Sequence, residues 1–395
     1  MHDDLLQPGR AITAIMLLAI VCGSNVGAAE ASTNRGFARA EAARPAHFPH
    51  RIWAACDFEG PTPDYAWFGP AETNNLPRYP GNATALGSSE RPHKNVSAVM
   101  TGINPVPGPR MGKENFLYTR YLLQGGTEAT FQYFSLTRED NQHIRVSGLA
   151  EGKWSEVTLN FTRDARRNDG RAEPFGDGER MDDLKIFAGR PNEAARYNLR
   201  IDDVIFFAND PRLTPEREPF PNRVIFLAAF DMGPKEKYWP GDFEIVEKDA
   251  PANAYWRVAR AVPRKDGRGK LVRLQIEPPR PVGEQTKLRF RYYLDGTSEI
   301  IAQIFDATVQ DNRHVRLRGL TPREWTTVYV DFTRDARRND GTANSPFSAG
   351  NKVDDLFFFV SPTPGKKVEL FVDEVVLYDA GAGKSSRSPH PSKIN

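Results

Sequence analysis

A chain of 395 residues with 39% hydrophobic and 11% aromatic content can fill two or three ordinary cores, which excludes a disordered chain. Its 53 basic and 51 acidic residues nearly cancel to a net charge of +2, so it is no polycation, and its charge gives no support for nucleic acid as a partner. Thirty-one glycines and thirty-one prolines, with few long apolar periods, point to many short strands joined by turns.

The first element reads as an export signal. Arg10 precedes the apolar run 11–22 (AITAIMLLAIVC), and small residues follow up to Val26-Gly27-Ala28-Ala29, an A-x-A-like cleavage site. The run is too short to span a bilayer, and no other segment could cross one. Residues 1–29 are therefore expected to be a signal peptide, with the mature protein periplasmic, at the cell surface or extracellular. Beyond the signal, Cys56 is the only cysteine, so no intramolecular disulfide can form. Its apolar surroundings read as those of a small buried hydrophobe.

Residues 30–50, rich in Ala, Arg and Pro, read as a linker. A first domain is expected over 51–210 and a second over 223–380. Between them 211–222 reads as a linker, because 209–222 (NDPRLTPEREPFPN) carries four prolines and mixed charge. The tail 381–395 reads as flexible.

The two domains repeat one another. The decapeptide FTRDARRNDG stands at 161–170 and again at 332–341, and 116–170 overlays 287–341 without a gap at 27 identities in 55 positions. That spacing is far too long for a solenoid repeat, so each copy is a whole domain. Within a copy the period is two: Leu288, Phe290, Tyr292 and Leu294 alternate with polar or half-polar residues, as do Val315 and Leu317 or Val328, Val330 and Phe332. The fold class expected is all-β, two tandem antiparallel jelly-roll β-sandwiches. A loop-rich segment at 72–113 appears as an addition to the first copy, with a shorter basic counterpart around 262–270.

Three features recur in both copies. An early strand ends in Phe plus an acid (Phe58-Glu59, Phe230-Asp231). A middle strand runs W-x-x-V-x-x-x-F (Trp154 to Phe161, Trp325 to Phe332). A final strand holds Ile201-Asp202-Asp203-Val204 or Val372-Asp373-Glu374-Val375. Their order resembles the galactose-binding-like jelly-roll domains used as carbohydrate-binding modules. That resemblance implies a glycan partner and a structural calcium tying the first strand to the last, through Glu59 with Asp202 and Asp231 with Asp373. Ca²⁺ takes about six to eight hard oxygens, which carboxylates and carbonyls at two chain ends can supply. The other reading is that these acids face solvent or accept backbone donors at strand ends.

Gln132, His143 and Arg145 recur as Gln303, His314 and Arg316, and alternation puts the His and Arg on the polar side of their strand. Planar amides, imidazoles and guanidinium groups pair with sugar hydroxyls, although an ordinary solvated sheet face would show the same pattern. In the decapeptide, Thr162 or Asp164 could cap a helical turn that Gly170 or Gly341 closes, making it a brace. Alternatively Arg166 and Arg337 belong to an Arg-lined loop for a carboxylate or sulfate group. Trp154 and Trp325 read as core. Trp67 and Trp239, with Tyr65, Phe68, Tyr238, Tyr255 and Trp256, read as stacking candidates in loops.

No nucleophile elbow, P-loop, dinucleotide fingerprint or His-x-x-x-His motif occurs. The expectation is an exported, non-catalytic carbohydrate-binding protein whose two sites gain avidity on one repetitive polymer. The competing readings are a cell-envelope protein that binds other proteins, and a polysaccharide lyase or glycoside hydrolase.

Overall fold

A computed structural model describes residues 38–39, 43–60, 65–90, 97–105, 108–172, 176–231, 239–340 and 348–381. The expected signal peptide and all of the expected tail after Gly381 lie outside the described residues, as does Tyr238. Among the described residues no helix is long and apolar enough to cross a membrane.

The main strands of the first copy are β1 (Arg51–Cys56), β2 (Thr84–Gly87), β3 (Val99–Pro105), β4 (Glu114–Gln124), β5 (Ala129–Ser135), β6 (Asp140–Ser147), β7 (Ser155–Asn160), β8 (Met181–Ala188) and β9 (Asn198–Asn209). The second copy repeats them as β10 (Arg223–Ala228), β11 (Val258–Arg260), β12 (Lys270–Pro281), β13 (Thr286–Asp295), β14 (Ile300–Asp306), β15 (Asp311–Leu317), β16 (Thr326–Asp331), β17 (Lys352–Val360) and β18 (Glu369–Asp379). Each copy is an antiparallel jelly-roll sandwich. One sheet runs β7-β4-β9-β2 with β1 on the far part of β9, and the other runs β6-β5-β8-β3. The second copy gives β16-β13-β18-β11 with β10 on β18, and β15-β14-β17-β12. The segment 72–113 is thus no simple addition, since it supplies β2 and β3 to the two sheets.

Strict alternation makes the strands amphipathic. In β5 residues Ala129, Phe131, Tyr133 and Ser135 point inward, and in β14 Ile300, Ala302, Ile304 and Asp306 do the same. Leu117, Phe131, Ile144, Leu199 and Phe206 fill the first core, and Phe290, Ile304, Leu356, Phe358 and Leu377 the second. Each such side chain, fully buried, contributes about 1.5–3 kcal/mol. Cys56 is buried in the first core, and burial pushes its thiol far above the ordinary range, as expected of a small hydrophobe.

Both copies share two backbone irregularities. Phe58 and Phe230 take φ of 57° and 58°, and Asp203 and Glu374 take 49° and 48°. The latter sit at bulges, where the pairing of β9 with β4 shifts between Asp202 and Ile205 and that of β13 with β18 between Arg289 and Arg291. A bulge breaks the in-out alternation, which lets two consecutive acids both be buried: Asp202 with Asp203, and Asp373 with Glu374.

The sheet holding the first and last strands is apolar on both sides. Ile52, Tyr118, Ile205 and Phe207 project from the back of β1, β4 and β9, and Val224, Val376 and Tyr378 from the back of β10 and β18. Together they form one cluster. Phe48 and Phe220, from the segments expected to be free linkers, fill it at 2% and 3% exposure. Phe220 meets Tyr118 edge-on at 5.2 Å, and Phe48 meets Tyr378 at 4.8 Å. The sandwiches therefore pack through these two inner sheets, in the layer order outer, inner, inner, outer.

Ion pairs cross the same boundary in both directions. Arg223, wholly buried, donates Nε to Asp57 at 2.7 Å, and Arg280 also pairs with Asp57. In return Arg51 pairs with Asp231 and, at 2.8 Å, with Glu374. Arg110 stacks on Trp256 at 3.7 Å. Both sandwiches fall in one compact unit of the chain.

Candidate ligand-binding faces

The outward side of each outer sheet gathers the polar residues picked out from the sequence. In the first sandwich Arg166, His143, Gln132 and Lys185 are cross-strand neighbours in one row. In the second, Arg337, His314, Gln303, Phe357 and Arg273 repeat it. Arg145 and Arg316 stand two residues further along their strands, in the next row. Gln132 Nε2 donates to Asn141 Oδ1 at 3.1 Å and Gln303 Nε2 to Asn312 Oδ1 at 2.8 Å. Each amide is thereby held with its carbonyl oxygen free of that contact, a preorganised acceptor. Burial, reinforced by the neighbouring Arg145 or Arg316, lowers the pKa of His143 and His314, so both rings are neutral at pH 7 and can donate and accept.

The two faces then diverge. In the first sandwich Gln132, His143 and Arg145 line a cleft of about 740 Å³ together with Glu128, Asn168, Arg190, Glu193, Arg196 and Tyr197. Among the described residues the guanidinium groups of Arg145, Arg190 and Arg196 make no ion pair with a carboxylate, although the backbone N–H of Arg190 donates to Glu193. Their counterpart in the second sandwich is neutralised: Arg316 pairs with Glu299 at 2.5 Å, and Arg318 pairs with the same carboxylate at 3.1 Å.

In place of a charged cleft the second face carries an aromatic ledge. Phe357 and Phe359 lie on the outward side of β17 with ring centroids 5.3 Å apart and planes within 9°. Arg273 and Arg264 sit over these rings at 5.8 and 5.0 Å. The sequence reading missed both phenylalanines. Their signal was present: in Leu356-Phe357-Phe358-Phe359 the period-two rule sends Phe358 inward and its two neighbours outward.

The decapeptide is a brace. Phe161–Asp164 and Phe332–Asp335 each form one helical turn, capped by Asn160 and Asp331 rather than by Thr162 or Asp164. Thr162 and Thr333 instead accept the backbone N–H of Asn115 and Thr286, each at 2.9 Å. Arg167 and Arg338 tie the loop to Asp140 and Asp311 at 2.6 and 2.5 Å. Gly170 takes φ 83°, as a left-handed closing residue should; Gly341 lies outside the described residues. Arg166 donates to the carbonyls of Arg163 and Ala165, so it serves the brace while its backbone borders His143.

Two of the loop aromatics, Trp67 and Trp239, are packed against the cores. Trp67 packs edge-on against Phe58 at 5.4 Å and Trp239 against Phe230 at 5.7 Å; both belong to the rims of the cores. Tyr255 lies 3.7 Å over Arg291 and 5.6 Å from Arg51. Trp154 and Trp325, expected in the core, lie on the back of the inner sheets, each 5.1 Å from the guanidinium of Arg120 or Arg291.

Those arginines bear on the calcium expectation. Asp202 Oδ2 accepts from Arg120 at 3.0 Å, from Asn74 at 2.8 Å and from Asn82 at 3.1 Å. The amide of Asn82 also reaches Glu59 at 3.3 Å, and Glu59 accepts the backbone N–H of Ala83 and Thr84. In the second sandwich Arg51 holds Asp231, and Arg291 lies 3.6 Å from Asp373. In the first sandwich nitrogen donors surround Asp202 where a calcium needs oxygens, whereas in the second Asp231 Oδ1 and Asp373 Oδ2 are buried without a hydrogen-bond partner. Among the described residues no group of three or more His, Cys, Asp or Glu is placed to hold a metal. At Asp202 and at Asp231 a guanidinium group supplies positive charge beside the carboxylate.

No family model matches the chain, and no curated protein does. Among solved structures, the N-terminal CBM22-1-CBM22-2 tandem domain of Xyn10C from Paenibacillus barcinonensis aligns over 85% of this chain and 98% of its own, at 14% identity and a TM-score of 0.30. A Paenibacillus xanthan lyase aligns over 85% of this chain and 26% of its own, at 11% identity and a TM-score of 0.23. The cycloalternan-forming enzyme of Listeria monocytogenes aligns over 76% of this chain and 21% of its own, at 11% identity and a TM-score of 0.24. The chain spans nearly all of the first and about a quarter or less of the other two. At these scores the functional reading rests on the residues themselves.

Proposed function

We propose that the protein is an exported, non-catalytic carbohydrate-binding protein that uses the outward faces of its two outer sheets. The observation that carries this reading is the repeated row of guanidinium, imidazole and oriented amide, which in the second sandwich runs into the Phe357–Phe359 ledge. The parallel, stacked rings present apolar edges against which the C–H face of a sugar packs beside Arg264 and Arg273, while the amide and imidazole take its hydroxyls. The second face suits neutral sugars. The first, with three guanidinium groups outside any ion pair among the described residues, suits sugars bearing a carboxylate or sulfate group.

Affinity electrophoresis in gels containing a neutral β-glucan, a xylan or a polygalacturonate tests the reading. Retardation by at least one is expected, and Phe357→Ala with Phe359→Ala should weaken neutral-glycan binding about tenfold, from roughly 1.4 kcal/mol of lost stacking. No retardation in any gel would sink it, and release of reducing ends from any of the three would overturn the non-catalytic part.

A further inference from the structure

The duplication suggested avidity, with two sites on one polymer strand. The geometry points elsewhere: we propose that the protein cross-links, holding two separate polysaccharide strands at once, one on each outer face. The inference rests on the carbohydrate reading above and adds the direction in which the sites look.

Within a sandwich, the outward side of the outer sheet and the back of the inner sheet face opposite ways. The backs of both inner sheets are turned toward each other, through Ile52, Phe207, Val224 and Tyr378. The row of His143 and Gln132 and the ledge of Phe357 and Phe359 therefore lie on the sides turned away from the other sandwich. Four sheet layers stand between them, and adjacent packed sheets are about 10 Å apart. A strand engaged on one face would have to leave it and travel around the molecule to reach the other.

Nor can the sandwiches swing to bring the faces together. Phe48 and Phe220 are wedged into the interface, and the reciprocal pairs Arg223 with Asp57 and Arg51 with Glu374 close it from both sides. Opening it would expose that apolar cluster and leave a buried arginine unpaired. An intramolecular second binding event needs a linker geometry that reaches both sites; without one the effective concentration falls to nothing.

Ternary capture tests this directly. Beads coated with polygalacturonate are loaded with the full-length protein, washed, and offered a neutral β-glucan carrying a fluorophore, and the converse pair, β-glucan beads with labelled polygalacturonate, is run beside it. The wild type is expected to capture the labelled strand in both. Gln132→Ala with Arg145→Ala on the first face should still bind the β-glucan beads, and Phe357→Ala with Phe359→Ala on the second should still bind the polygalacturonate beads, but each should lose at least nine-tenths of the fluorescent capture there. All these side chains lie on the sheet surface, and unchanged melting temperatures confirm intact folds. If the wild type binds the beads yet captures nothing, the cross-linking inference fails while the carbohydrate reading stands. It also fails if a single-face variant loses about 10²-fold or more in affinity for one long strand, the signature of avidity. Failure to bind any coated bead overturns both.

Discussion

Arg223 and Asp57 meet across the boundary between the two sandwiches, Nε to Oδ2 at 2.7 Å, with the arginine side chain wholly buried. The guanidinium also donates to the carbonyl of Pro281 at 3.0 Å and lies 4.7 Å from the ring of Tyr79. A charge so enclosed is tolerable only because its partners are in place. It ties the first residue of β10 to the end of β1.

Removing one partner should therefore be costly. Arg223→Met leaves Asp57 with Arg280 alone and is expected to destabilise the protein by about 3–5 kcal/mol, the usual cost of breaking a buried pair from one side. Urea unfolding followed by tryptophan fluorescence checks it; a loss below about 1 kcal/mol would contradict the assigned role.

The same pair predicts an acid limb of stability. Arg223 and Arg280 outweigh the burial of Asp57 and lower its pKa to about 2. A carboxyl depressed on folding stabilises above its unfolded value, and that stability is lost as pH falls through the folded value. Between about pH 4 and pH 2 the protein should lose about 2 kcal/mol through this group. Melting temperatures across that range should fall, and the slope should be shallower in Asp57→Asn.

Ligand binding should hold to lower pH than an ordinary histidine would allow. Burial and adjacent arginines lower the pKa of His143 and His314. Each ring stays neutral until pH drops below the usual histidine value of about 6.5. Titration calorimetry with the glycan retained in the gels should give constant affinity from pH 8 to pH 6.5, with the decline beginning below that.

Chelation should leave the protein unmoved. Because Arg120 and two asparagine amides hold Asp202, EDTA is expected not to change the melting temperature. Arg120→Gln should lower stability by about 1–3 kcal/mol, since Asp202 keeps its two asparagine donors but loses the guanidinium hydrogen bond. A fall of several degrees in EDTA would restore the calcium account.

The fold was legible wherever a rule concerned neighbours in sequence. Alternation located β13, β15 and β16 and put His143 and Arg145, like His314 and Arg316, on one face. The decapeptide and its surroundings exposed the duplication. What escaped depended on contacts between distant segments. The carboxylates of Asp202 and Asp231 look alike in sequence whether a metal or an arginine 82 or 180 residues away answers them. The Trp154 side was called core because a tryptophan heading a strand gives no sign of which face it takes. The packing of the sandwiches did leave a trace. Strand β9, NLRIDDVIFFAN, is buried almost end to end, and a nearly continuous apolar run signals a strand covered on both sides.

That packing has a historical corollary. Strand β1 lies against its own repeat β10, Ile52 and Val224 hold equivalent places in the shared cluster, and Arg51 and Arg223, 172 positions apart, each reach into the other sandwich. Equivalent surfaces that meet about a two-fold axis define an isologous contact, the commonest way identical subunits pair. A one-sandwich ancestor could have made this contact as a homodimer, and gene fusion then sealed the dimer into a single polypeptide. Fusion also released the halves from identity: a homodimer must carry the same groove twice, whereas this chain keeps a charged cleft on one side and a phenylalanine ledge on the other.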